Sequence, residues 1–548
     1  MRHSGIGVRG LTVTVFKLWA PAAAHVDLDL DGRLLPTCRG EGGWHTLETD
    51  AGPNTHYRFR TGDVSVPDPA ARAQHGDWSV VTDPTAYPWQ DRTWRGRPWE
   101  ETIFYELHAG LLGGFAGIET HLPRLADLGI TAVELMPIAH TFSTRNWGYD
   151  GVLPYAPSDA YGTPDALKHM VDRAHALGLM VFLDVVYNHF GPSGNYLPHY
   201  APAFFREDRH TPWGAGIDFR RPEVRRFFID NAVMWVRHFH IDGLRLDAIH
   251  AIDDDGYIVE LAQAARAAAP HRHVHIVVEN ERNDGELLSR GRIAQWNDDF
   301  HHALHVMLTG ETAGYYGAYA DAPAQGLARS LNGHFIQERS GPSPQLLPTA
   351  FVNFLQNHDH VGNRAFGERL IALADPQALT AAVALLMLAP SIPLLFFGEE
   401  VGAREPFLYF CDHRDPELAD AVREGRRAEF AKFPEFADPK SRDAIPDPNA
   451  PETFERSRPR LDDGEEWHTL YRELIQLRRT HIIPRLKGTV AESAEAIGPK
   501  AVRATWRMGD EATLMLFCNL GDDPIALPAT RGEMIWDRAG TRCWIAPP

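Results

Sequence analysis

The stretch Asp242-Gly-Leu-Arg-Leu-Asp-Ala-Ile-His250 decides how this chain is read. Leu244 and Leu246 alternate with Arg245 and Asp247, the two-residue period of a β-strand. Successive side chains on a strand point to opposite faces, so Arg245 and Asp247 share one. A guanidinium beside a carboxylate keeps the acid ionised. An ionised aspartate at the C-terminal end of a strand can act as a nucleophile. A purely structural Arg–Asp pair has the same letters, and such tripeptides are common. What separates the two readings is what the rest of the chain brings to the same place.

Outward from that strand, short apolar runs alternate with helical stretches. The runs are residues 103–107, 132–135, 180–185, 243–246, 275–278, 351–355 and 392–397, with a weaker one at 293–296. Between the second and third, Thr163 can cap a helix, Pro164 suits its first position and Gly178 can end it. Leu167, Met170, Val171, Ala174 and Leu177 fall on one helical face. Residues 222–240, rich in Phe and Trp, predict a large helix packed on the same core. Eight strands alternating with helices predict a (β/α)8 TIM barrel, an α/β fold, over residues 99–483.

On either side the rhythm changes. Residues 1–98 show short alternating segments at 13–19 and 26–30, a turn at Asp31-Gly32, and further strand positions at Trp44, Leu47, Tyr57 and Phe59. They predict an N-terminal β-sandwich resembling a carbohydrate-binding module, with a linker at 84–98. Residues 404–463, rich in charge, Pro and Gly, read as helices and loops at the barrel exit, and 467–479 as an amphipathic helix. Residues 484–548 return to strands, clearest at 502–506 and 512–519, and predict a small C-terminal all-β domain.

At 548 residues the chain exceeds one ordinary core and should split into two or three domains. The formal charge of -19, from 54 Lys+Arg against 73 Asp+Glu, argues against nucleic acid and anionic membranes as partners. Cys38, Cys411, Cys518 and Cys543 form no C-x-x-C pair and no zinc spacing. Reduced thiols and a cytoplasmic setting are the expectation. The start of the chain lacks a long apolar run, so no signal peptide is expected, and the longest uncharged run, 381–390, is too short to span a membrane. No cofactor and no metal are expected. Asp298-Asp299 with His301-His302 is a tempting ligand set that falls short of a metal motif.

Polar residues close four of the apolar runs. They are Asp184, Asn188 and His189; Arg245 and Asp247; Glu279 and Asn280; and Gln356, His358 and Asp359. Each alone is no more than a helix cap. In a barrel the ends of the strands share one rim, where catalytic groups lie, so together they bring Asp247, Glu279 and Asp359, with two histidines, to one place. Glycoside hydrolysis needs two carboxylates in unlike surroundings. Asp247 beside Arg245 suits the ionised nucleophile. Glu279, after the apolar residues 276–278, suits the acid that holds a proton, because burial raises a carboxyl's pKa. Asp359 would bind sugar hydroxyls, with His189 and His358 as hydrogen-bond donors.

These segments resemble the α-amylase family of glycoside hydrolases, whose four signature regions match residues 184–189, 243–247, 277–279 and 357–359. The resemblance implies a retaining mechanism with Asp247 as nucleophile, Glu279 as acid/base and Asp359 as transition-state stabiliser. Within that family, NWGYDG at 146–151, VYNHFGPSGNY at 186–196, WNDDFHH at 296–302, LTGE at 308–311, GYY at 314–316, GEE at 398–400, PFLYF at 406–410, EGRR at 424–427 and PDP at 446–448 resemble the maltooligosyltrehalose trehalohydrolases. The resemblance implies cleavage of the α-1,4 bond that joins a terminal trehalose to a maltooligosaccharide. It also implies a pathway partner, the synthase that makes the trehalose end.

Around this core, Tyr149 suits stacking under the sugar at the cleaved bond, with Asp150 orienting loops; packing of the rim is the alternative for Tyr149. Trp213 and Trp296 are candidate sugar platforms, Asp298 and Asp299 with His301 and His302 are candidates for the trehalose side, and Asn188, Arg245 and His250 complete the substrate-binding set. His360 follows Asp359 where related enzymes often carry Gln. Two other readings compete: an α-amylase, branching or debranching enzyme on the same scaffold, and a non-catalytic glycan-binding protein. The segments around Trp296 and Phe407 argue against the first, and the presence of all three carboxylates against the second.

Overall fold

The computed structural model describes residues 13–211, 214–338, 344–462, 464–526 and 531–548. Eight parallel strands close into a barrel: β1 (Phe104–Leu107), β2 (Ala132–Leu135), β3 (Met180–Val185), β4 (Gly243–Leu246), β5 (His275–Val278), β6 (Ala294–Trp296), β7 (Phe351–Phe354) and β8 (Ile392–Phe396). β8 pairs back onto β1, which removes the sheet edge. The sequence expectation of eight strands holds at every position. The weakest run, at 293–296, is the three-residue β6.

Helices cover the outside of the barrel and side chains fill its inside, so both faces of each strand are buried. All four residues of β4 are buried, including Arg245 at 0% exposure. The alternation in its sequence is therefore a contrast between an apolar outer face and a polar interior, with neither face open to water. The helix Pro164–Ala176 begins as its signals require: the Thr163 side chain accepts from Ala166 N at 3.1 Å, and Gly178 turns the chain at φ +78°. The Phe- and Trp-rich segment forms the helix Pro222–His238.

The N-terminal part holds a three-stranded and a six-stranded antiparallel sheet with Phe16, Leu18, Leu28 and Phe59 buried. From there residues 84–98 run under the N-terminal ends of the barrel strands. Trp94 Nε1 donates to Asp242 Oδ1 at 2.8 Å and its ring stacks on His175, centroids 4.6 Å apart. His175 lies between Asp91 Oδ2 at 2.8 Å and Asp242 Oδ2 at 2.9 Å. Burial alone would lower the pKa of this imidazole; the carboxylates of Asp242 and Asp91 outweigh it and raise the value. A charged histidine thus ties the linker to the end of the barrel remote from the catalytic rim.

At the other end of the chain, five antiparallel strands between Val490 and Ala546 form one sheet. This sheet packs on the helix Pro376–Leu388, where Thr541 Oγ1 donates to the Ala381 carbonyl at 2.9 Å. The apolar run at 381–390 is accounted for: it is covered by the barrel on one side and by this sheet on the other. Among the described residues, no helix is long and apolar enough to cross a membrane.

Candidate active site

Arg245 is the hub of the rim. Strand register sets it beside Asp184 on β3 and Val277 on β5. Its Nη1 donates to Asp184 Oδ2 at 2.7 Å and to Asp247 Oδ1 at 2.8 Å, and its Nη2 to Glu279 Oε2 at 2.7 Å. The ring of Trp296 lies 4.0 Å from the guanidinium carbon, a cation–π contact in a buried setting. One fully buried cation therefore faces three carboxylates from three strands.

The two acids nearest the cleft differ in their other partners. Asp247 Oδ2 accepts from Asn188 Nδ2 at 2.7 Å, so both of its oxygens are engaged by donors. Glu279 Oε2 accepts from the backbone N–H of Ala248 at 3.1 Å as well as from Arg245. Ala248 holds φ at +43°, an uncommon conformation for a residue with a Cβ, in the turn that presents this N–H to Glu279. Burial raises the Glu279 pKa more than Arg245 lowers it. Asp184, buried behind them, is pushed up to about 7 by burial, against the pull of Arg245.

A second chain of hydrogen bonds runs across the floor. Glu106 on β1 accepts from His358 through Oε1 at 2.5 Å and from the His358 backbone N–H through Oε2 at 3.1 Å. His358 Nε2 is 2.8 Å from the Tyr149 hydroxyl, which donates to Asp184 Oδ2 at 2.6 Å. Burial would lower the His358 pKa, but Asp359 and Glu106 raise it to about 9. The ring is then charged at neutral pH, both ring nitrogens donate, and the order of donors along the chain is set. Asp359 opens the short helix His358–Gly362; Asn363 Nδ2 donates to its Oδ1 at 3.2 Å, and its side chain is 37% exposed toward the cleft.

These groups floor a cavity of about 550 Å³. Asp247, Glu279, Asp359, Tyr149, Asp150, His189, Asp298 and Asp299 all line it. Asn188, Arg245 and His358 lie directly beneath and hold lining residues by hydrogen bonds. Asp299 is largely engaged within the protein: it accepts from Tyr319 Oη, from the backbone N–H groups of Ile336 and Gln337, and from Asn283 Nδ2. Its first task is to hold the 336–337 segment on the cleft wall.

Two expected residues fall elsewhere. Trp296 is 1% exposed and backs Arg245 from below, so it offers no face to a sugar; its place at the end of β6 aims it into the barrel. His250 stands beside the rim, where its carbonyl accepts from Arg209 Nη2 at 3.3 Å, and is not one of the lining residues. Trp213 lies outside the described residues.

The structure adds residues that carried no assignment in the sequence reading. Glu106 is one, an apolar-looking position inside β1 whose role exists only because β1 and β7 end near one another. Tyr315, 49% exposed, and Tyr319 form an aromatic wall on the Asp298 side, and Tyr409 stands on the Tyr149 side with the buried Trp147 and Phe410 packed behind it. Trp147, Tyr315, Tyr409 and Phe410 lie in segments that resemble the trehalohydrolases, the one signal the sequence carries for them.

A closed parallel barrel whose strand ends bring an aspartate and a glutamate to one arginine, beneath a cleft lined in part by aromatic rings, is the arrangement of an α-amylase-type glycoside hydrolase. The model of the alpha amylase catalytic domain matches residues 75–202, and residues 491–547 match a domain of unknown function, DUF3459. Malto-oligosyltrehalose trehalohydrolase from Deinococcus radiodurans is 40% identical over 85% of this chain and 81% of its own. Those from Mycobacterium tuberculosis and Arthrobacter ramosus are 36% and 41% identical, over 95% and 85% of this chain and 94% and 87% of theirs. The chain belongs to the malto-oligosyltrehalose trehalohydrolase family. A crystal structure of a Salmonella typhimurium protein assigned to the alpha amylases superposes with a TM-score of 0.91 at 40% identity, covering 98% of this chain and 99% of that one. A pullulanase from Anoxybacillus sp. LM18-11, solved with maltotetraose, has a TM-score of 0.73 at 18% identity, covering 98% and 86%, and shares the fold.

Proposed function

We propose that this protein releases trehalose from maltooligosyltrehalose by retaining cleavage of the α-1,4 bond next to the terminal trehalose. The observation that carries the reading is the convergence of Asp247 and Glu279 on Arg245, under a cleft with Asp359 on its wall. Asp247, ionised between Arg245 and Asn188, attacks the anomeric carbon. Glu279 gives its proton to the leaving oxygen of trehalose, then takes one from the water that hydrolyses the glycosyl-enzyme. Oε2 of Glu279 is occupied by two donors, so the transferable proton belongs on Oε1. Asp359 binds hydroxyls of the sugar held at Asp247, and the charged His358 and Tyr149 keep Asp184 and Arg245 in place beneath it.

The choice of substrate rests on the relatives named as trehalohydrolases. The same reading places the protein in a pathway behind a synthase that forms the trehalose end. The four free thiols, three of them buried, fit a reducing cytoplasmic setting.

Product analysis tests the reading. With maltotriosyl-trehalose the products should be trehalose and maltotriose, and plain maltopentaose should be cut far more slowly. Faster release of glucose or maltose from the plain chain would assign an α-amylase instead.

A further inference from the structure

In sequence, Asp298, Asp299, His301 and His302 stand together, and the nearby His305 turns to Glu311 instead. The fold supplies a third imidazole. The helix Asp298–Thr309 starts after β6, and the short helix His358–Gly362 starts after the adjacent β7. His360 is thereby brought against His301, ring centroids 3.6 Å apart, and lies 5.3 Å from the ring of His302. One ring nitrogen from each of His301, His302 and His360 lies within 4.8 Å of the other two.

We propose that His301, His302 and His360 bind a divalent transition ion of the Zn²⁺ type at the edge of the substrate cleft, with Asp298 orienting His360. The donor set argues for the ion class: three neutral imidazoles suit Zn²⁺, Ni²⁺ or Cu²⁺, whereas Mg²⁺ and Ca²⁺ need oxygen ligands. His301 Nδ1 faces the carbonyl of Leu355, which can only accept, so Nδ1 carries the proton and Nε2 the lone pair. A metal-bound imidazole that donates its other N–H to a carbonyl is the usual outer-shell arrangement. That Nε2 now lies 3.1 Å from the Tyr316 hydroxyl, which the ion would displace.

His360 is 8% exposed, and its Nδ1 meets no hydrogen-bond partner among the described residues. Its Nε2 points to Asp298 Oδ1 at 3.6 Å. A carboxylate on one ring nitrogen leaves the other as the ligand atom. Tetrahedral Zn²⁺ with Zn–N of about 2.0–2.1 Å needs nitrogens about 3.4 Å apart. Closing the site therefore takes a turn of the half-buried His302 and a splaying of the stacked His301 and His360 rings. Asp298, His302 and His360 also line the substrate cavity, so the ion and an oligosaccharide would compete for one end of the cleft.

The test uses the full, tag-free chain stripped with a chelator. Zn²⁺ binding is followed by calorimetry, and Co²⁺ by the visible absorption of a tetrahedral site. The expected result is stoichiometric binding that weakens about tenfold or more in His360→Gln and, independently, in His302→Gln, as loss of one of three ligands requires. Both variants are checked for an unchanged thermal transition, and maltooligosaccharide should displace the ion. Absence of stoichiometric binding, or equal binding by wild type and both folded variants, overturns the site. Binding that oligosaccharide leaves unaffected overturns its placement in the cleft.

Discussion

Arg245 Nη2 donates to Glu279 Oε2 at 2.7 Å, so the residue proposed to carry the proton sits in direct contact with a cation. Such contact by itself favours the carboxylate. Two features oppose it. Glu279 is largely withdrawn from water, its side chain 19% exposed, and Arg245 divides its charge among Asp184, Asp247 and Glu279. The net direction is upward, the direction a general acid needs. Asp247, with a donor on each oxygen, is held for the opposite role.

Glu279→Gln should lower kcat on maltotriosyl-trehalose by about 10²–10⁴-fold and leave the thermal transition close to wild type, since the amide fills the same space. An aryl glycoside whose leaving group needs no proton should lose far less. Parallel loss on both substrates, measured by initial rates, would show that Glu279 does not act as the acid.

Arg245→Met removes the cation that Asp184, Asp247 and Glu279 share. The expected cost is about 3–5 kcal/mol, the range for breaking a buried charge network. Urea denaturation at neutral pH measures it. A variant as stable as wild type would mean that protonation of Asp184 and Glu279 already removes the repulsion.

His358 defines a pH window. Its folded pKa of about 9 lies above the ordinary histidine value of 6.5. The native state therefore holds the proton more tightly than the unfolded chain, and the stability it contributes is full below about pH 6.5 and lost as pH rises through about 9. In His358→Gln the fall in stability between those values should flatten by about one proton, and urea midpoints across that range read it. Activity should show an alkaline limb near the same upper value in wild type, because a neutral His358 no longer donates to both Glu106 and Tyr149.

Trp296→Phe separates a sugar platform from a support. As the backing of Arg245, Trp296 should cost about 0.5–2 kcal/mol of stability when replaced and leave KM for long and short oligosaccharides in the same ratio. A rise in KM confined to long substrates would return it to the cleft.

Asp91→Asn loosens the linker from the base of the barrel. His175 and His240 both bond to Asp91 Oδ2, at 2.8 Å each. Limited proteolysis around Trp89 and Trp94 should speed up, while kcat at low temperature stays near wild type, because this clamp and the catalytic cleft lie at opposite ends of the strands. An unchanged cleavage rate would mean that Trp94 and Asp242 hold the segment alone.

The periodicity of the chain was enough to locate all eight barrel strands and the capped helix at Pro164, because burial on both strand faces and the chemistry of helix ends leave marks within a few residues. It also marked Asp184, Asp247, Glu279 and Asp359, since polar groups closing apolar runs are visible one run at a time. The sequence left Trp296 open between platform and core, because a tryptophan near a strand end looks the same whether it faces the cleft or the barrel interior.

What the letters determined alone was a ring of short strands and the acids at their ends, both local consequences of side-chain type and spacing. Only the closed barrel decided that Glu106 would meet His358, that one guanidinium would serve three carboxylates, and that His360 would come to rest on His301. Those are contacts between segments far apart in the chain, and their distances follow from strand register and ring closure, which no local pattern encodes.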